Sequence, residues 1–263
     1  MTLIFAQERY EQVAEAYLTG LEQLAARGGD VSGVASVASF FVSSIDTAVD
    51  SAIAARLNTV RDGAEQAMLR NLRGKIAIAN AKLAYQRYQT LFSGSRWEAL
   101  AQRGAMTQRL LWASTGTKNH AYRDVLYVEE LIGPETVNTI PPATLEAFRD
   151  HGLPVTRITE GVNDAKASLR DLERAGLSMK AITERLLDEG GQLFREDFGK
   201  LLLAVEQQLL VAGAAGVDVD GRVDAPLGES TIEAQLHVAG ALELLEDHFV
   251  HAAVGLHQRG GED

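Results

Sequence analysis

Short apolar runs alternate with long helical patterns over the first 210 residues, and that alternation confines the chain to strand-helix units around a parallel sheet. Thr2–Phe5 is a β-rich run. After it Tyr10, Val13, Ala14, Tyr17, Leu21 and Leu24 recur at helical spacing until Gly28 and Gly29 stop the helix. Val34–Val42 is a second run, apolar on both faces, and reads as a buried parallel strand. A long helical region comes next, including Lys75–Tyr88, where Ile76, Ala79, Leu83 and Ala84 form one apolar stripe, and then a short helix over Arg96–Gln102. Arg109–Ser114 is a third strand, Tyr122–Leu131 a helix, and Thr136–Ile140 a β-branched fourth run that ends at Pro141 and Pro142. Helices are expected over Ala143–Asp150 and Asp164–Ala175, with a long amphipathic stretch from Ser178 to about Leu210 interrupted near Gly190. Residues 213–229, rich in Gly and Asp, read as a linker, and Ser230–His251 as one more helix.

The expected domains are therefore residues 1–210, a partial (β/α) barrel, and residues 211–263, a linker and helical tail of unassigned role. Four strand-helix units are half of a closed (β/α)₈ barrel. An open half-barrel leaves unpaired strand edges and one apolar sheet face that something must cover. With 263 residues, 46% of them apolar, the chain is long enough to bury a sizeable core.

The net charge of −11 repels nucleic acid and anionic lipid, so neither is expected as a partner. The absence of cysteine excludes disulfides, thiolate metal sites and a Cys nucleophile. No apolar stretch reaches the roughly 18 residues of a membrane span, and MTLIFAQERY lacks the basic start and long apolar run of a signal peptide. A cytoplasmic location is expected. There is no P-loop, no dinucleotide glycine fingerprint and no G-x-S-x-G elbow.

Four segments, Val34–Ile45 (VASVASFFVSSI), Ala77–Tyr88 (AIANAKLAYQRY), Leu111–Tyr122 (LWASTGTKNHAY) and TVNTIPPATL from Thr136, closely resemble the transaldolase family, in the subfamily with a long insertion between the sixth and seventh strands. The resemblance covers about residues 1–210. It implies a (β/α)₈ barrel and reversible transfer of a dihydroxyacetone unit between sugar phosphates through a Schiff base on a barrel lysine, in the pentose phosphate pathway, without metal or organic cofactor. It also implies that this chain corresponds to the C-terminal half, so that the family's lysine on the fourth strand precedes Met1 and the chain alone lacks turnover.

Carried over residue by residue, the resemblance places Thr2 at a water-positioning threonine of the fifth strand, although the asparagine usual two residues earlier has no counterpart. A strand threonine without a role is the other reading. Ser39 and Phe41, in SFFVSS, match substrate-contacting positions on the sixth strand, and barrel chemistry gathers at the C-terminal ends of strands. Ser44 is a departure, since the family position after FVS resembles an arginine that grips phosphate. Loss of that cation weakens phosphate binding by about 2–5 kcal/mol if the site is desolvated. Ser114–Lys118 (STGTK) matches the second phosphate loop, with Ser114 and Lys118 as substrate contacts, and is equally a glycine turn capped by hydroxyls.

Lys82, in IANAKLAYQ, is rejected as a nucleophile because a lysine on an inserted helix is expected to be solvated. In the tail, His248 and His251 share a face with metal-ligand spacing, His237 and the acidic Glu243, Glu246 and Asp247 lie nearby, and Asp218, Asp220 and Asp224 around Gly221 echo part of a calcium loop. No ligand set is complete, so no metal is expected.

Three arrangements are open. The chain is a fragment or natural half of a transaldolase whose other half supplies the lysine, or a non-catalytic half-barrel that binds sugar phosphate or self-associates, or a piece of a fusion with a sugar-phosphate isomerase.

Overall fold

β-Branched and aromatic residues in Val37–Phe41 (β1) and Arg109–Ala113 (β2) favour extended backbone, and the two strands pair in parallel from Val37 opposite Arg109 to Phe41 opposite Ala113. β2 pairs in parallel with the short strand Thr136–Asn138 (β3), giving a three-stranded sheet in the order β1-β2-β3. These elements come from a computed structural model that describes residues 2–214. The tail candidates from Asp218 to His251 and the helix expected over Ser230–His251 lie outside the described residues.

The first expected run is not a full strand. Only Ile4 bridges to Phe40, with Ile4 N–H donating to Ser39 O and Phe41 N–H to Ile4 O. Asn80 fixes this segment from the other side, because its Nδ2 donates to Phe5 O at 2.8 Å while its Oδ1 accepts from Gln7 Nε2.

The helices are α1 (Gln7–Ala26), α2 (Ser43–Leu57), α3 (Gly63–Leu72), α4 (Ile76–Leu91), α5 (Gly94–Ala101), α6 (Leu126–Glu130), α7 (Pro142–His151), α8 (Val162–Arg174) and α9 (Met179–Ala214). The long helical region expected after β1 is thus three helices. α3 begins where Asp62 accepts from Glu65 N–H at 2.8 Å, a cap that satisfies one orphan donor of its first turn. The helix expected over Tyr122–Leu131 shrinks to Leu126–Glu130, because Tyr122 closes a turn onto Asn119 O and its hydroxyl is drawn to Asp50. α9 runs through Gly190 and Gly191 without the expected interruption. Two glycines cost about 1 kcal/mol each relative to alanine, which the Leu, Glu, Arg and Gln residues around them outweigh.

The chain divides into two compact units, Met1–Asp188 and Glu189–Asp263. In the second, the described stretch of α9 exposes Phe194, Phe198, Leu202, Leu203 and Val205. The first holds the sheet. Ala38 and Phe40 of β1 and Leu110 and Trp112 of β2 point to one face and are fully buried, with Phe40 and Trp112 meeting edge to face at 5.9 Å. α1 packs on β1 and α4 on β2. The opposite face carries Val37, Ser39, Phe41, Leu111 and Val137, all half-buried or exposed among the described residues. β1 is therefore parallel as its composition implies, but among the described residues helices pack on one of its faces.

α4 is the central helix, packed against α1, α2, α5, α8 and β2. The expected single stripe is instead burial nearly all round, with Ile76, Ala77, Asn80, Ala81, Lys82, Ala84, Tyr85 and Tyr88 inside. Small alanines permit that close approach. Lys82 is consequently buried, contrary to the solvated side chain expected from sequence, and its ammonium donates to Glu130 Oε2 at 2.8 Å and Glu160 O at 3.2 Å. Arg157 reaches the other oxygen of Glu130 at 3.4 Å. Truncating the outer partner leaves a buried charge, whereas replacing the buried one does not. Glu130→Ala is expected to cost about 2–3 kcal/mol and Lys82→Met less than about 1 kcal/mol, read as unfolding free energies in urea.

Candidate functional site

The C-terminal ends of β1 and β2 lie side by side and are laced together by backbone. Val42 N–H donates to Ala113 O and Ser43 N–H to Ser114 O, both at 3.0 Å. α2 starts at that lacing with Val42 as its N-cap, so its first N–H groups and the positive end of its dipole face the loop after β2. Ser114 opens that loop with a positive φ of 55°, a conformation a non-glycine residue adopts only when its surroundings hold it there.

Lys118, four residues on, returns its ammonium to α2, where it lies 3.5 Å from Ser44 Oγ. Burial pushes the Lys118 amine down to about 8. Ser44 is 6% exposed and its neighbour Ser43 is 1% exposed, and the Ser43 hydroxyl has no hydrogen-bond partner among the described residues. Thr115 donates to Asn138 Oδ1 at 2.8 Å, tying the start of the loop to the end of β3. A side chain at Gly116 would press on Pro141 Cγ at 3.3 Å and Thr144 Oγ1 at 3.4 Å, so the loop backbone lies close against the start of α7. One cation, three serines and a helix N-terminus meet here, a set suited to an oxyanion.

Ser39 sits in the middle of β1 and not at its end, with its side chain on the half-open face. Phe41 occupies the C-terminal end of that strand on the same face, with its ring 5.5 Å from Phe5. Thr2 Oγ1 accepts from Ser39 N–H at 2.8 Å, so the hydroxyl singled out for water already extends the edge of the sheet. Lys118, Ser44 and Ser114 are brought together, and Thr2, Ser39 and Phe41 form a second group along β1.

Sequence reading misses a buried acidic pair beneath the site. Asp46 and Asp50 stand one turn apart on α2. Asp46 accepts from Ala77 N–H at 2.8 Å and from Tyr127 OH at 2.9 Å, while Asp50 accepts from Gly74 N–H at 3.3 Å and from Tyr122 OH. α4 has no cap of its own at Lys75, and the Asp46 carboxyl of α2 satisfies one of its first donors. The one signal of the pair is two carboxylates at helical spacing in a run with no other charge, VSSIDTAVDSAI.

Burial pushes Asp46 up to about 7, against the lowering by Ala77 N–H and Tyr127 OH. Its folded value therefore lies above the unfolded one, so the stabilisation that goes with the neutral carboxyl is complete below about 4 and is lost as pH rises through about 7. Measured against Asp46→Asn, the unfolding free energy of the wild type is expected to fall by about 2–4 kcal/mol between about pH 4 and about pH 8, in urea titrations at each pH.

Known proteins share this sequence over most of its length. Residues 1–205 match the Transaldolase/Fructose-6-phosphate aldolase family. Over 210 residues the chain is 50% identical to a transaldolase of Parafrankia sp., covering 80% of this chain and 55% of that protein. It is 47% identical over 217 residues to transaldolase 1 of Streptomyces avermitilis (82% and 55%) and 44% identical over 211 residues to a transaldolase of Trichodesmium erythraeum (80% and 56%). The chain thus spans about half the length of the curated relatives it matches.

Proposed function

Because the chain belongs to the Transaldolase/Fructose-6-phosphate aldolase family, we propose that residues 1–210 form part of a (β/α) barrel that holds the phosphate end of a sugar phosphate while a dihydroxyacetone unit is transferred through a Schiff base. The observation that carries this reading is Lys118 returning to Ser44 at the first turn of α2, beside Ser114. The Lys118 ammonium and the Ser44 N–H at the positive end of the α2 dipole bind phosphate oxygens, and the Ser39 hydroxyl on the neighbouring face meets the sugar. Metal and organic cofactors have no part in this chemistry.

The Schiff-base amine comes, on this reading, from outside these residues. Lys82 is engaged with Glu130 inside the fold, and Lys118 stands at the phosphate end. A complementing N-terminal half of the barrel is then the partner, and it docks on the face of Val37, Ser39, Phe41, Leu111 and Val137. That same half-open face favours a second reading, a non-catalytic half-barrel that binds sugar phosphate or self-associates. Both readings place the protein in the cytoplasm, where sugar phosphates are found, and leave residues 211–263 outside the barrel.

Borohydride trapping with fructose 6-phosphate, read by intact mass, separates the two readings. The chain alone is expected to gain no adduct, and its mixture with a separately expressed N-terminal half of a relative to gain a three-carbon adduct on the partner's lysine. An adduct on any lysine of this chain overturns the first reading, and an unlabelled mixture leaves the second in its place. A second cation at the α2 N-terminus is expected to strengthen phosphate binding, so Ser44→Arg should lower the Kd for inorganic phosphate by about tenfold or more in calorimetry, while Lys118→Met abolishes binding.

A further inference from the structure

The loop that carries Lys118 is anchored at both ends, and the second anchor has no place in the proposed chemistry. At its start, Ser114 O accepts from Ser43 N–H and Thr115 binds Asn138. Four residues beyond Lys118, the Tyr122 hydroxyl donates to Asp50 Oδ2. Asp50 Oδ1 accepts from Gly74 N–H, so one carboxylate of α2 holds both the loop and the turn that leads into α4.

The fit at this anchor is tight. Gly74 has φ of 68°, and a Cβ there would lie 2.8 Å from Tyr122 Cζ, so the tyrosine ring rests on bare backbone. Asn119 shapes the approach, its side chain accepting from Ala121 N–H and its carbonyl from Tyr122 N–H. One turn earlier on α2, Asp46 holds Tyr127 just after the loop. Both carboxylates belong to the helix whose first turn receives Lys118.

We propose that Asp50 and Tyr122 are positioning residues that fix the 114–122 loop so that the Lys118 ammonium stays beside Ser44 Oγ, with Asp46 and Tyr127 backing the same clasp. Without the clasp, the segment between Thr115 and α6 loses its tie to α2 at Tyr122, and the Lys118 ammonium is held less closely against Ser44. The inference rests on the proposed phosphate end for its purpose but on the hydrogen bonds alone for its geometry.

The test is competitive acetylation of the full chain with acetic anhydride across pH, read at Lys118 by peptide mass and normalised to exposed Lys166 and Lys180. In the wild type the Lys118 midpoint is expected near 8. In Tyr122→Phe and in Asp50→Leu it is expected to move up by about one unit towards the ordinary lysine range, and the double variant to move no further than Asp50→Leu, because the bond to Tyr122 is already lost there. Inorganic phosphate should bind about five- to tenfold more weakly in the same variants.

Tyr17→Phe is the control, since Tyr17 OH binds Val34 O and Met106 O outside this loop. It is expected to lower Tm while leaving the Lys118 midpoint in place. A midpoint unmoved in both loop variants overturns the proposal, as does an equal movement in Tyr17→Phe. If the midpoint moves but no form of the protein binds phosphate, the positioning role stands and the phosphate reading fails.

Discussion

Parallel pairing of Val37–Phe41 with Arg109–Ala113 puts the C-terminal ends of two strands side by side, and Ser44, Ser114 and Lys118 of the candidate site hang from those ends. In a parallel ladder each strand must lead into a crossover, so each end passes either into a helix start or into the loop that reaches one. After β1 it is the first turn of α2, and after β2 it is the loop of Ser114 and Lys118. The two bonds from Val42 and Ser43 to Ala113 and Ser114 continue the ladder past the strands, so the helix N-terminus and the lysine loop cannot move apart without breaking the sheet's own pattern. The juxtaposition of dipole, serines and cation is thus a consequence of backbone pairing.

A second constraint lies under the first. The unit centres on a helix, α4, that is buried nearly all round, and such a helix must find partners for its unsatisfied first donors without water. One such partner comes from α2, as Asp46 to Ala77, while Asp50 of the same helix holds Gly74 N–H in the turn just before α4. A carboxylate is costly to bury, and Asp46 meets that cost by shifting towards neutrality and by accepting from Tyr127. Lys82 on the same helix takes the other solution, a charge paired with Glu130. These polar contacts do little for net stability compared with the apolar core, but they fix the rotation of α4 against α2 and the path of the chain between them.

Much of this is legible in the sequence wherever a pattern is local. The runs at Val34–Val42 and Arg109–Ser114 are strands with nearly the expected bounds, and α1, α7 and α8 obey their apolar spacing and flanking glycine or proline. The illegible parts depend on partners distant along the chain. Thr2–Phe5 has strand composition, yet only Ile4 makes the bridge. Lys82 reads as a surface residue because nothing near it in sequence announces Glu130, 48 residues away. Of the site, Lys118 and Ser44 are each visible as residue types suited to phosphate or its loss, while their meeting across 74 residues is a product of the crossover. Asp46 and Asp50 escape notice because a carboxylate on a helix is usually solvated, and only the packing of α4 shows otherwise.

The half-open sheet face bears on the site as well as on assembly. Ser39 stands among Val37, Phe41, Leu111 and Val137 on this face, and on the proposed reading a serine there is matched to a ligand that is itself mostly hydroxyl. While water reaches that face, the field of Lys118 and of the α2 dipole is screened, and one cation holds an anion weakly. Covering the face with further strands, as the proposed partner half does, removes the water and strengthens the same fixed groups without moving them. Closure of the barrel therefore contributes to catalysis twice on this reading, once by delivering an amine and once by lowering the dielectric around groups this chain already holds in place. Ser44, lacking charge, makes that second contribution matter more here than at a site with two cations.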